Sequence, residues 1–229
     1  MVYPLNDNTL IQSDSISHQV YKALRKRIIS GQDAPGAKLI ISRLALEYGV
    51  SVIPVREALA RLHAEKLLSF EQNKGYQISP VPSSEDMLKW HEARLMIEAT
   101  IGEYVMENIT EQEIAELEEL NQTMLNGEYG ADYQHYDKFI ELNSQFHKKI
   151  VSTTRNPYII EMYATLSYGP QVGRVHHGRG VPDIELLCQE HAAIIQAIKR
   201  GNVQKFILAV NEHIKGGYNR TIHYPELPR

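Results

Sequence analysis

Two short helical segments that meet at Gly49-Val50-Ser51 constrain this chain more than any other feature. Ser42 can cap the first segment, roughly 42–48, and Gly49 stops it, because glycine ends a helix in the left-handed region at little cost. Ser51 can cap the second, and Pro54 falls in its first turn, where a missing N–H is tolerated. That helix runs through Arg56, Leu59 and Leu62 to about Glu65. Upstream, Ser17 can cap a further helix in which Val20, Leu24 and Ile28 recur at helical spacing. Lys22, Arg25 and Lys26 lie on its other side, and Gly31 closes it. Leu39-Ile40-Ile41 is a short apolar link. Downstream, Leu67–Phe70 and Tyr76–Ile78 read as two strands, with Asn73-Lys74-Gly75 turning between them as a hairpin with a basic tip. Three helices followed by a hairpin predict a winged helix-turn-helix over residues 17–80, preceded by a polar, flexible N-terminal arm at 1–16.

Pro80-Val81-Pro82-Ser83 is a natural linker, and residues 81–229 beyond it read as helical throughout. The expected helices lie at about 84–107, 110–126, 131–153, 156–170, 183–200 and 202–218, with 171–182 as a Gly-rich loop. Ser83 or Ser84 and Thr110 serve as N-caps, and Thr110 opens a Thr-Glu-Gln-Glu capping box. The chain is therefore expected to be mainly α, with a winged helix-turn-helix followed by an all-α helical bundle.

The net charge of −4 hides an asymmetry. Residues 1–80 hold 10 Lys and Arg against 7 Asp and Glu, giving +3, whereas the remainder hold 14 against 21, giving −7. Only the front of the chain is suited to a polyanion. With 43% apolar residues the chain can form real cores, and no apolar run approaches the ~18 residues of a membrane helix. The start of the chain lacks the basic cluster and apolar stretch of a secretory signal. Cys188 is the single cysteine, which excludes an intrachain disulfide and a cysteine-based zinc site. A cytoplasmic protein with no membrane partner is expected.

In a helix-turn-helix the second helix enters the major groove with its N-terminal residues at base edges and phosphates. Ser51 opens that helix here, Arg56 is its best-placed cation, and Arg61 lies further along. Arg43, at the start of the preceding helix, is placed for phosphate, and Lys74 at the hairpin tip for the neighbouring minor groove. The strings Pro35-Gly36-x-x-Leu39, Leu44-Ala45-x-x-Tyr48-Gly49-Val50-Ser51, Pro54-Val55-Arg56-Glu57-Ala58-Leu59 and Leu62-x-x-Glu65-x-Leu67 with Gly75-Tyr76 resemble the winged-helix domain of GntR-family repressors. The resemblance implies that Arg56 touches operator DNA. It also marks a departure. The family usually has arginine straight after the serine of the turn, whereas this chain has Val52, so one base contact is missing and a different operator or affinity follows.

In the second half, Asn143 and His147 are four apart and share one helix face, while His191 and His213 stand on two later helices. Three imidazoles and a side-chain carbonyl suit a borderline divalent metal such as Zn²⁺ or Ni²⁺, although ten histidines offer many such triplets. Arg94-x-x-Ile97-Glu98, Asn143-x-x-Phe146-His147, Glu190-His191-x-x-Ile194-x-x-Ala197-Ile198 and the final His213 resemble the helical FCD-type effector domain of the FadR branch of that family. In its metal-binding members these positions are the ligands, which implies Asn143, His147, His191 and His213 as a metal set. Asn in place of Asp leaves the site at a charge of about +2 rather than +1. The metal should be held less tightly, and an anionic ligand should gain more from it. A small carboxylate effector is expected, aided by Arg94 through bidentate contact, with an ordinary Arg94–Glu98 ion pair as the plainer alternative.

The resemblance further implies a homodimer on palindromic double-stranded operator DNA, acting as a ligand-responsive repressor rather than an enzyme. Two rivals stand beside it. One is a metal-dependent hydrolase or lyase with a His₃ site, for which Glu190 or Glu212 would be the base, although each faces about 100° away from its neighbouring histidine. The other is a metal-stabilised DNA-binding protein without an effector. His176-His177 are read as solvated loop residues, and His18, His63, His91, His135 and His223 carry no motif. Cys188 is read as core and Trp90 as packing.

Overall fold

The computed structural model describes residues 15–129, 133–166, 169–176 and 183–222, so residues 1–14 of the expected arm, as well as His177 and His223, lie outside it. The N-terminal part contains α1 (Ile16–Ile29), β1 (Lys38–Leu39), α2 (Ile41–Tyr48), α3 (Val52–Ala64), β2 (Leu68–Glu71) and β3 (Gly75–Ile78). The cap of α1 is Ser15, two residues before the expected Ser17, because Ser15 Oγ accepts the His18 N–H. The link at Leu39 is a strand rather than a coil. It pairs antiparallel with β3, which also pairs with β2, so the wing is a three-stranded sheet in the order β1-β3-β2. Gly49 closes α2 with φ +64° and Asn73 turns the hairpin at φ +69°, both in the left-handed region. Asparagine is among the residues that tolerate it.

One apolar cluster unites these elements. Val20, Leu24 and Ile28 of α1 meet Leu44 of α2, Val55, Leu59 and Leu62 of α3, and Leu68 and Ile78 of the sheet. The spacing of Val55, Ala58, Leu59 and Leu62 turns one face of α3 inward and leaves Ile53, Arg56 and Ala60 outward.

The second part is all helix: α4 (Ser84–Glu98), α5 (Gly102–Asn108), α6 (Glu111–Leu125), α7 (Tyr133–Ser152), α8 (Pro157–Thr165), α9 (Gly169–His176), α10 (Ile184–Lys199) and α11 (Val203–Ile222). Ser83 caps α4 and Thr110 caps α6, each through a reciprocal capping box, with Asp86 and Glu113 respectively. Three elements differ from expectation, the first being the helix expected at 156–170, where α8 ends at Thr165 and α9 begins at Gly169. The helix expected at 84–107 breaks at Ala99–Ile101. There the Thr100 hydroxyl donates to the Met96 and Ile97 carbonyls, and a side-chain bond of that kind competes with the helical ladder. Ile101 drops into the core, and Gly102 lets Phe206 approach to where a Cβ would stand 3.0 Å from the ring. Within the expected 171–182 loop, residues up to His176 belong to α9. Its sequence, Gly-Pro-Gln-Val-Gly-Arg-Val-His, has glycine and proline where helix formers would signal it.

A separate apolar cluster holds this bundle, with Phe146 and Ile150 of α7 packed on Ile194 and Ile198 of α10 and Phe206 and Val210 of α11. Helix α9 joins the two parts. Arg174, buried, donates from Nη1 to the Ser79 and Pro80 carbonyls at 2.8 and 3.1 Å, and Gln171 donates to the Lys66 carbonyl. Lys66 Nζ in turn reaches the Thr165 carbonyl at 2.8 Å. Among the described residues, no helix is long and apolar enough to cross a membrane.

Candidate functional site

Two regions collect the residues singled out by sequence. On the N-terminal part, Ser51, Arg43 and Arg56 are exposed around the α2–α3 turn. Ser51 flanks α3 in extended conformation, yet its hydroxyl makes no capping bond, so its oxygen stays available. Lys74 projects at the wing tip, ion-paired with Glu71 at 2.5 Å, with both side chains more than half exposed. Arg61 is placed differently. Its guanidinium stacks 3.7 Å above the Tyr21 ring, bonds His18 Nδ1 at 3.1 Å and lies 3.6 Å from Glu65. It ties α3 to α1, and its side chain stays 53% exposed.

The bundle holds a fully internal cluster. His147 of α7, His191 of α10 and His213 of α11 are all buried, and a ligand nitrogen from each lies within 4.8 Å of the others. Local sequence explains the convergence. Phe146, next to His147, is a core residue whose ring stacks on His191 at 4.0 Å. Ile194 and Ile214 anchor the other two helices in the same core.

Two carboxylates set the orientation of the rings. Glu98 of α4 accepts from His147 Nδ1 at 2.7 Å, from Arg94 Nε at 2.8 Å and from the Tyr163 hydroxyl at 2.8 Å. Glu190 of α10 accepts from His213 Nδ1 at 2.9 Å, and Arg220 grips it with two bonds of 2.8 and 2.6 Å. Gly216 makes room for that pair, since a Cβ there would stand 2.8 Å from Glu190 Oε1. With Nδ1 of both rings donating to a carboxylate, the Nε2 atoms of His147 and His213 face each other with lone pairs at 3.0 Å. That arrangement calls for positive charge between them. Burial, ahead of any charge, lowers the pKa of His147 and pushes those of His191 and His213 well below the usual imidazole value. The neutral, metal-ligating form is thereby favoured. Burial alone would raise the Glu98 carboxyl, but Arg94 and His147 outweigh it and hold it well below the carboxylate range.

Unsatisfied polar atoms gather on the same helices. Asn143 Oδ1, both His191 nitrogens and Arg94 Nη2 are buried without a hydrogen-bond partner among the described residues. Buried polar atoms are rarely left unpaired. Acceptors on Asn143 and on one His191 nitrogen fit a cation, while the other His191 nitrogen, Arg94 Nη2 and Arg220 Nε remain as donors. The structure thus contains the expected Arg94–Glu98 ion pair, yet that pair leaves part of Arg94 unused. Glu212 is exposed, which removes it as a base for the cluster. Glu190 serves His213, not its sequence neighbour His191. Glu98 and Glu190 as orienting groups were not foreseen. A sequence signal existed only for Glu98, four residues after Arg94 on one face. Cys188 is buried in the core, and Trp90 packs α4 against the end of α8 by donating to the Leu166 carbonyl.

A three-helix winged domain with exposed cations is thus joined to a helical bundle around a polar internal cluster. Residues 16–78 match the family model of bacterial regulatory proteins of the gntR family, and residues 90–216 match the FCD domain. The chain belongs to the GntR family, in its FCD-containing branch. It is 25% identical over 205 residues to the uncharacterized HTH-type transcriptional regulator YdhC of Bacillus subtilis, covering 88% of this chain and 87% of that protein. It is 26% identical over 187 residues to the HTH-type transcriptional regulator McbR of Escherichia coli, covering 81% and 83%. The solved structure of E. coli McbR/YncC superposes with a TM-score of 0.65 at 24% identity, covering 91% of this chain and 98% of that one, which shows the shared fold. These families and relatives are transcriptional regulators, so the protein is a DNA-binding regulator and not a hydrolase or lyase.

Proposed function

We propose that the protein is a homodimeric repressor in which residues 17–80 bind a palindromic operator and residues 81–229 bind a divalent metal and a small carboxylate effector. Arg56 and Ser51 meet base edges and phosphate at the head of α3, Arg43 meets phosphate, and Lys74 enters the minor groove. Arg61, further along α3 and 53% exposed, is available to the DNA backbone.

His147, His191 and His213 would hold the metal, with Asn143 Oδ1 as the fourth donor. An ion of the Zn²⁺ or Ni²⁺ type suits three neutral imidazoles and a carbonyl, and it would supply a positive centre for the effector. The observation that carries this reading is the set of orphaned atoms. Acceptors on Asn143 and His191 and a donor on Arg94 are buried together without partners, and a metal with a carboxylate satisfies both kinds. The two rings already oriented by Glu98 and Glu190 need no rearrangement to ligate. The rival of a metal-stabilised protein without effector leaves Arg94 Nη2 unexplained.

A duplex enriched from a random pool by the protein itself supplies the test. Its affinity is measured by fluorescence anisotropy with zinc-loaded and with EDTA-stripped protein, across a panel of small mono-, di- and hydroxycarboxylates. At least one carboxylate should weaken binding between 5- and 150-fold, the usual range of allosteric coupling, in the loaded protein only. Equal affinity with and without every carboxylate would end the effector reading.

A further inference from the structure

The outward stripe of α3 runs Ile53, Arg56, Ala60, at spacings of three and four residues. Arg56 has a role in DNA binding, but Ile53 at the head of the stripe has none in the fold. It is 65% exposed in the first turn of the helix, with Val52 beside it at 41%, and neither belongs to either core. Exposed branched aliphatics at a helix start bring the domain no packing. Arg56 lies three residues on from Ile53 along the same helix and Glu57 four, and Arg43 and Arg56 are exposed without an ion pair among the described residues.

An apolar tip one helical turn before an exposed arginine fits one feature of duplex DNA. In the major groove the only apolar group on a base edge is the C5-methyl of thymine, and phosphates flank it on both sides. An arginine at position 52 would donate to guanine O6 and N7. A branched aliphatic can donate to nothing and is penalised against the polar edges of guanine and cytosine, which it would desolvate. The geometry points to Ile53, supported by Val52, as the residue that selects thymine in each half-site by packing on its C5-methyl group. This rests on the DNA-binding assignment and gives a chemical reason for the departure at Val52. The operator trades a guanine contact for a thymine contact.

The test removes the methyl and nothing else. In the enriched duplex, each thymine in turn is replaced by deoxyuridine, in one half-site and then in both. Anisotropy is read with the full-length protein, with Ile53→Ala and with Ile53→Val. Replacing the selected thymine should weaken wild-type binding about four-fold in one half-site, the value of one buried methyl-sized group, and about sixteen-fold in both. Ile53→Val should keep the discrimination, and Ile53→Ala should bind thymine and uracil duplexes alike. Because Ile53 is exposed, circular dichroism should be unchanged. Equal binding of wild type to every uracil duplex would overturn the inference while leaving DNA binding intact, as would discrimination that survives in Ile53→Ala. Failure of the pool to enrich any duplex would overturn the DNA-binding assignment itself, and this inference with it.

Discussion

Replacing Glu98 with Gln removes one charge from a buried node and keeps its shape. The carboxylate accepts from Arg94, Tyr163 and His147 at 2.7–2.8 Å. An amide keeps one acceptor oxygen and turns the other position into a donor, so it must confront either the Arg94–Tyr163 side or His147 Nδ1 with a donor. Arg94 is buried and, among the described residues, pairs with no other carboxylate. Removing one partner of a buried ion pair costs about 3–5 kcal/mol. At about 2–4 °C per kcal/mol for a chain of this size, melting should fall by roughly 6–20 °C. A second effect is separate. His147 loses the acceptor that orients it, and loss of such a partner weakens metal binding about 10–100-fold. Calorimetric melting in EDTA isolates the first effect, and competition for Zn²⁺ against a chromophoric chelator measures the second. Glu92→Gln, exposed on the same helix, is the control and should change neither. A metal-free melt within 2 °C of wild type together with unchanged zinc affinity would refute the reasoning.

Three further outcomes follow from the same geometry. Arg56→Ala should weaken operator binding by about 1–3 kcal/mol, read by anisotropy, with an unaltered melt because the side chain is exposed. Arg174→Ala deletes the bonds to Ser79 and Pro80, and limited proteolysis should then cut faster within 79–83 while far-ultraviolet circular dichroism stays constant. Burial pushes the Cys188 thiol up to about 11. At pH 8 about one molecule in a thousand is thiolate, against about one in ten at the ordinary value, so iodoacetamide should label native protein at least a hundred-fold more slowly than urea-unfolded protein. The native rate should rise about ten-fold per pH unit until the thiol titrates.

The winged helix was legible because local chemistry and tertiary structure agree there. Gly49 supplies the left-handed turn, Pro54 fits the first turn of α3, and the inward residues of α3 repeat at 3.6-residue spacing. The wing's third strand was not, since Lys38–Leu39 spans two residues and gains its identity only by pairing with β3. Helix α9 was hidden for a similar reason. Its glycines and proline oppose helix formation locally, and tertiary contacts of Gln171 and Arg174 with the DNA-binding part hold it. In the bundle, the three histidines could be picked out by motif, and the structure brings them together. The carboxylates behind them could not be assigned, because each comes from a different helix than the ring it orients. Glu190 follows the rule that neighbours on a helix face apart, and so reaches His213 across the α10–α11 contact rather than His191. Arg61 has contacts its position on α3 did not announce: it stacks on Tyr21 of α1 and lies near Glu65 at the end of its own helix, while its side chain stays 53% exposed.

Metal content tests the account's central claim most directly. Elemental mass spectrometry on purified protein and on the His147→Ala, His191→Ala double variant should find about one equivalent of a divalent transition metal per chain in the first and none in the second. Absence of metal from wild type, even after incubation with excess Zn²⁺ or Ni²⁺ and desalting, would contradict it, as would equal metal in both proteins.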